Sequence, residues 1–275
     1  DVYKRQLLAY VVVLITMFML TACAGMQGAT ANSPVLDRIT MNGELVVGTA
    51  ASMPPLNMTT KDGEIIGLEI DLAQAMADSM GVKLRLEAIQ FHELLPALEA
   101  GRIDMILSGM TITPQRNMKV AFVGPYFKSG KAILTKLPTM AQAQTPEDIH
   151  DPRKSIVTLR ATTSEQFVKD YLPKVKLVTA NSYDEAIDMV INNEVDALFA
   201  DYTICVVTIF RYPKEKLLTV VSPLTYEPLG IALPDTDSLF VNWVDNYLKT
   251  LEDSGALEEL IWEWFENPDW MKRLP

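Results

Sequence analysis

The sequence predicts an α/β protein built on mostly parallel sheets, and three observations predict it. Short apolar runs alternate with helical patterns along most of the chain. Several helix starts carry their own capping residues. Apolar residues make up 49% of the 275, and there are only two cysteines, so a core rather than a disulfide framework must hold the fold.

The elements follow in order. Residues 45–49 read as a short apolar strand. Residues 69–80 read as a helix with Leu72, Met76 and Met80 on one face. Residues 84–89 alternate like a strand, and 92–100 form a helix that Gly101 closes. Residues 104–107 are a buried strand, and Thr113-Pro114 caps and opens the next helix. A second set starts near residue 131, with strands at 132–135, 156–159 and 177–179 around a helix at 164–171. Ser182 to Glu185 reads as a capping box for a helix running to 192. Strands follow at 197–200 and 217–221. Two helices, 238–254 and 256–265, flank Gly255, and Phe240, Trp243, Tyr247 and Leu251 share a face of the first.

The N-terminus reads as a processing segment. Lys4 and Arg5 precede an apolar run over 7–20, and Leu20-Thr21-Ala22-Cys23 follows. The run is shorter than the roughly 20 residues of a membrane span. Residues 1–22 are therefore expected to be a signal peptide, with the true start upstream of Asp1. Leu20 to Cys23 resemble a bacterial lipobox, which makes Cys23 the expected lipidation site. Residues 23–35 then form a small, polar tether. With Cys23 lipidated, Cys205 has no partner; among Ile204, Val206 and Val207 it reads as a buried thiol.

The formal charge of −11 argues against a nucleic-acid partner, which needs clustered Lys and Arg. The two histidines, His92 and His150, form no recognisable ligand motif. No metalloprotease, C-x-x-C, nucleophile-elbow or phosphate-loop signature is present. No catalytic residue, metal or cofactor is expected.

Two blocks carry the functional signal. Gly67-Leu68-Glu69-Ile70-Asp71-Leu72 is a glycine turn leading into an acidic helix start. Forty residues on comes Ser108-Gly109-Met110-Thr111-Ile112-Thr113-Pro114-Gln115-Arg116. At these spacings the chain resembles, over 36–265, family 3 (polar amino acids) of the bacterial extracellular solute-binding proteins, the ligand-capturing subunits of ABC importers. The resemblance implies a two-lobed periplasmic-binding-protein fold of type II, with a ligand cleft between lobes joined by two hinge strands. Lobe 1 would take 36–127 and 230–275, the latter with the C-terminal tail, and lobe 2 would take 128–229 with the hinge crossings.

The resemblance also implies roles. Arg116 would grip a ligand carboxylate, for which a planar fork of donors is suited. Gly109 and Thr111 would add backbone and hydroxyl contacts. Thr163 and Ser164, at a helix start where backbone N–H groups are free, would serve the same carboxylate. The family usually has glycine where Ala161 stands. Asp201 would pair with the ligand α-amino group; the lesser reading is a simple helix cap before Tyr202. Glu69 and Asp71 read as acids stabilising a helix start rather than as a catalytic pair.

The first loop departs from the family. Where an acid and two aromatics are common, this chain has Ala50, Met53 and Leu56, while Phe91 keeps a pocket aromatic. That disfavours a cationic ligand, which would lose its acid and aromatic sandwich. Arg160, if it faced the cleft, would bias the site toward an acidic ligand. The expected protein is a monomeric, extracytoplasmic, lipid-anchored binding protein that captures a small uncharged amino acid and presents it to a membrane permease. The alternative is a cyclohexadienyl or arogenate dehydratase on the same scaffold, with Glu227 as the acid.

Overall fold

The structure, a computed structural model, describes residues 33–220 and 223–275, with Tyr3. The signal peptide expected over 1–22, the lipidation site Cys23 and the tether as far as residue 32 lie, Tyr3 apart, outside the described residues. Residues 34 and 35, expected in the tether, begin a helix instead. This helix, α1 (Pro34–Asn42), has proline at its first position, where no N–H is needed. The Asp237 carboxylate accepts from the N–H groups of Val35 and Leu36, at 3.0 and 3.1 Å.

Two five-stranded sheets form the body. The first begins with β1 (Glu44–Thr49). A small three-stranded sheet, β2 (Ser52–Met53), β3 (Asn57–Thr59) and β4 (Ile65–Ile66), interrupts it. Helix α2 (Leu68–Met80), strand β5 (Lys83–Ala88), helix α3 (Phe91–Glu99), strand β6 (Met105–Ile106) and the short helix α4 (Pro114–Asn117) follow. The long strand β7 (Ala121–Ser129) ends this part of the chain.

The second sheet opens at β8 (Lys131–Thr135). The short helix α5 (Pro138–Ala141), strand β9 (Ser155–Leu159), helix α6 (Thr163–Tyr171) and strand β10 (Lys176–Ala180) come next. Helix α7 (Tyr183–Ile191), strand β11 (Ala197–Asp201), helix α8 (Tyr202–Arg211) and strand β12 (Leu218–Thr219) complete it. The chain then returns as β13 (Glu227–Leu233) to the first sheet, and α9 (Ser238–Ser254) and α10 (Ala256–Glu266) pack there.

The sheet orders are β5-β1-β6-β13-β7 and β10-β9-β11-β8-β12. The β1, β5 and β6 ladders are parallel, as are β9 with β10 and β11. Strands β8 and β13 run antiparallel in their sheets. Strand β13 pairs with β7 from Glu227 against Ser129 to Leu233 against Ala121. Both passages between the sheets therefore leave from one ladder. Cys205 is free and fully buried, as its apolar neighbours suggested. Among the described residues no helix is long and apolar enough to cross a membrane.

The two acids of the α2 start do different work. Asp71 accepts from Trp264 Nε1 at 2.7 Å and pins α10. Glu69 is fully buried and holds a loop. Its carboxylate accepts from Gly109 N at 2.6 Å, from Asn57 Nδ2 at 2.5 Å and from the Tyr126 hydroxyl. Burial pushes this carboxyl up, while the hydrogen bonds pull it back down. Glu69→Ala would strand three buried donors, at about 1–3 kcal/mol each. We expect a loss of about 3 kcal/mol or more in urea denaturation. A loss below about 1 kcal/mol would show that Glu69 is not a brace.

A cavity lined by opposite charges

The loop from β6 to α4 presents the arginine. Thr113 caps α4 by accepting from Arg116 N at 3.2 Å, which sets the guanidinium at the loop mouth. Arg116 Nη1 donates to Thr111 O at 2.9 Å, and Nη2 donates to Ala161 O at 3.1 Å. The guanidinium carbon lies 5.6 Å from the Phe91 ring centroid, so the retained aromatic faces the arginine. Burial lowers the Arg116 pKa to about 10, against the fields of Glu227 and Asp201.

Backbone geometry fixes the rest of this loop. Gly109 has φ +59°, and a Cβ there would sit 2.2 Å from Met53 Sδ. Glycine is needed both for the left-handed backbone and for Met53 to pack against it. Ser108 Oγ accepts from Ala50 N at 2.8 Å and ties the first loop in.

The facing loop runs from β9 into α6. Ala161 holds φ +60°, the conformation that glycine takes more readily. Its N–H donates to Glu165 Oε2 at 2.7 Å. Thr162 is the helix cap: it accepts from Glu165 N at 3.2 Å and donates to Leu159 O at 2.6 Å. Thr163, relieved of capping, donates to Glu227 Oε2 at 3.0 Å and lies 3.5 Å from the Thr111 hydroxyl. The loops of the two sheets thus meet at Thr111–Thr163 and at Arg116–Ala161.

Asp201 stands at the cap position of α8 but makes no capping bond. Its Oδ2 accepts from Lys131 Nζ at 3.0 Å and from the Tyr183 hydroxyl at 3.4 Å. Its Oδ1 is buried and has no hydrogen-bond partner among the described residues. Lys131 is only 2% exposed, and its Nζ lies 3.7 Å from Glu227 Oε2 as well.

These groups enclose a cavity of about 10 Å3, the room of one water. Of the expected binding residues, Met53, Phe91, Gly109, Thr111, Arg116, Thr163 and Asp201 line it, while Ser164 and Leu56 do not. The Ser164 hydroxyl is buried within α6 and has no partner among the described residues. Leu56, expected at the side-chain end, is fully buried and does not line the cavity; Ala50, Ser52, Met53 and Phe91 do. Arg160 is exposed and outside the lining, so the condition under which it would bias the site toward acidic ligands is not met here. The sequence reading missed Lys131 and Tyr183, which line the cavity beside Asp201. A lysine heading the apolar run Ala132-Ile133-Leu134 was the available signal. Among the described residues no group of His, Cys, Asp or Glu is placed to hold a metal ion. A larger groove of about 820 Å3, lined by Phe127, Phe210 and Trp264 among others, is mostly apolar and lacks this convergence of charges.

Comparisons with known proteins agree with the architecture. The chain is 28% identical over 221 residues to ABC transporter arginine-binding protein 1 of Escherichia coli, covering 79% of this chain and 89% of that protein. It is 27% identical over 247 residues to the cyclohexadienyl dehydratase of Pseudomonas aeruginosa, covering 90% and 91%. Among solved structures, the ancestral amino-acid-binding protein AncCDT-1, a precursor of cyclohexadienyl dehydratase, is 36% identical with a TM-score of 0.75. That match covers 84% of this chain and 99% of that one. The profile of the bacterial extracellular solute-binding proteins, family 3, matches residues 45–267, and the chain belongs to that family.

Proposed function

We propose that this protein is the lipid-anchored substrate-binding subunit of an amino-acid ABC importer, and that its ligand is a small α-amino acid with an uncharged side chain. One observation carries the reading: Arg116 and Asp201, of opposite charge, line the same cavity, and Asp201 Oδ1 is buried without a partner among the described residues. A zwitterion supplies what both groups need. We place the lobe boundaries at the β7/β13 ladder, with 36–127 and 230–275 in one lobe and 128–229 in the other. A space of about 10 Å3 admits no amino acid, so the Thr111–Thr163 and Arg116–Ala161 contacts must part for entry and re-form around the ligand. The closed monomer would then be presented to a permease.

The side-chain end of the cavity supports the uncharged ligand. Ala50, Ser52, Met53 and Phe91 offer no acid, and the one aromatic already faces Arg116. The arginine-binding relative makes a cationic ligand the chief rival. The dehydratase relative supports a second reading, in which Glu227 is the acid. Against it, Glu227 already accepts from Thr163 and Thr225 at 3.0 and 3.2 Å. Turnover of prephenate or arogenate by the purified protein would establish that second reading.

A thermal-shift screen against amino acids and small carboxylates tests binding first, since a ligand at 100 times its Kd adds about 2.7 kcal/mol. Arg116→Ala is expected to weaken the identified ligand by about 30-fold or more, because a desolvated charge contact is lost. The unliganded melting temperature should stay nearly unchanged, since burial of this charge opposes folding. Equal affinity of both proteins by calorimetry would remove Arg116 from the site.

Lysine and arginine should bind at least about tenfold more weakly than the best neutral amino acid, since a buried cation without a counter-charge costs several kcal/mol. A competition titration that favours lysine or arginine over every neutral amino acid would sink the uncharged reading.

The anchor has its own test. Two or more acyl chains hold a protein firmly at a membrane. Cys23→Ala should therefore release the protein or leave the precursor uncleaved. A mutant that matures and fractionates like the wild type would show that Cys23 carries no anchor.

A further inference from the structure

Lys131 is the charged group of the cavity for which the proposed zwitterion leaves no role. It is 2% exposed, yet it lines the cavity beside Asp201. The strand register puts it there. Lys131 is the partner of Asp201 in the antiparallel β8/β11 ladder. Its ammonium lies 3.0 Å from Asp201 Oδ2 and 3.7 Å from Glu227 Oε2. Glu227 is tied to the cavity wall through the Thr163 hydroxyl at 3.0 Å.

Around the cavity the charges balance: Arg116 and Lys131 against Asp201 and Glu227. A zwitterion preserves that balance, with its carboxylate at Arg116 and its ammonium at Asp201 Oδ1. A ligand with a second cation finds no acid left, because Lys131 already engages Asp201 Oδ2 and approaches Glu227. We propose that Lys131 is a built-in counter-cation that closes the acidic end of this cavity to cationic ligands and so sets the charge class of the ligand. The inference rests on the amino-acid-binding reading above, and it is independent of the Met53 and Phe91 end of the cavity.

Two substitutions should push selectivity in opposite directions. Lys131→Gln keeps a polar head that can donate to Asp201, removes the charge and leaves an acid uncompensated. Lysine or arginine should then gain about tenfold or more relative to the best neutral amino acid. Glu227→Gln leaves Lys131 in place with one acid fewer. Glutamate or aspartate should then gain by a similar factor, about tenfold, relative to the same neutral amino acid. Calorimetric competition on each protein, after its thermal unfolding confirms folding, reads both ratios. A general loosening of the fold would weaken all ligands together and move neither ratio. An unchanged ratio in either folded variant would overturn the role of Lys131 while leaving amino-acid binding intact. Should Lys131→Gln fail to fold, the Glu227→Gln ratio decides alone. Absence of binding by the wild type to every amino acid would overturn both this inference and the function beneath it.

Discussion

A buried ammonium is costly unless acids surround it, and the Lys131 site meets that condition with two. The pairing needs β8 and β11 in a single register, with Lys131 opposite Asp201. A one-residue slip would turn one of the two charges to the other face of the sheet. Glu227, the second acid, begins the returning strand β13 and pairs there with Ser129 at the end of β7. One cluster of charges therefore joins the β8/β11 ladder of the second sheet to the ladder from which both passages between the sheets leave. Thr163 and Thr225 complete the Glu227 contacts, so the cluster also reaches the α6 loop. Burying one partner without the other would cost about 3–5 kcal/mol, enough to make the arrangement all-or-none.

The loop on the opposite side is held by a comparable device. Glu69 fixes Gly109 from below, Met53 packs where a Cβ would otherwise be, and Thr113 caps the turn that carries Arg116. Each of these sets the loop through contacts within the protein. Donors already in place need less ordering when a ligand arrives, which is the usual source of affinity in a small polar site.

Much of this was legible in the sequence, because much of it is local. The alternation of apolar runs gave the sheets, and the helices at 238–254 and after Gly255 were read nearly to the residue. The cap of Arg116 was readable because Thr-Pro marks a helix start chemically. Errors came where neighbours in space decide. The helix expected from residue 164 starts one residue earlier, with Thr162 as its cap behind the left-handed Ala161. Half of the expected capping box forms: Ser182 Oγ accepts from Glu185 N at 3.1 Å, while the Glu185 carboxylate accepts from Asn181 N at 2.8 Å rather than from Ser182 N. Helix α1 escaped notice because its stability comes from Asp237, some 200 residues away in sequence. The lysine heading β8 is only a hint in the sequence, because it is the β8/β11 register that brings Lys131 to Asp201.

The contacts of Arg116 bear on how the proposed ligand would compete with the cavity's own walls. In the closed geometry the guanidinium donates to two carbonyl oxygens, Thr111 O and Ala161 O, both neutral. Hydrogen bonds of that kind contribute about 0.5–1.5 kcal/mol net, whereas bonds to a charged acceptor contribute about 1.5–3 kcal/mol. A carboxylate entering between the loops offers the stronger partner, and in the bidentate geometry the fork prefers. Ala161 belongs to the loop of the other sheet, so its bond to Arg116 exists only when the loops are together. A ligand that bonds Arg116 while contacting the α6 loop therefore binds the closed arrangement better than the open one. That difference in affinity, rather than tightness in itself, is what lets a ligand shift the protein toward closure.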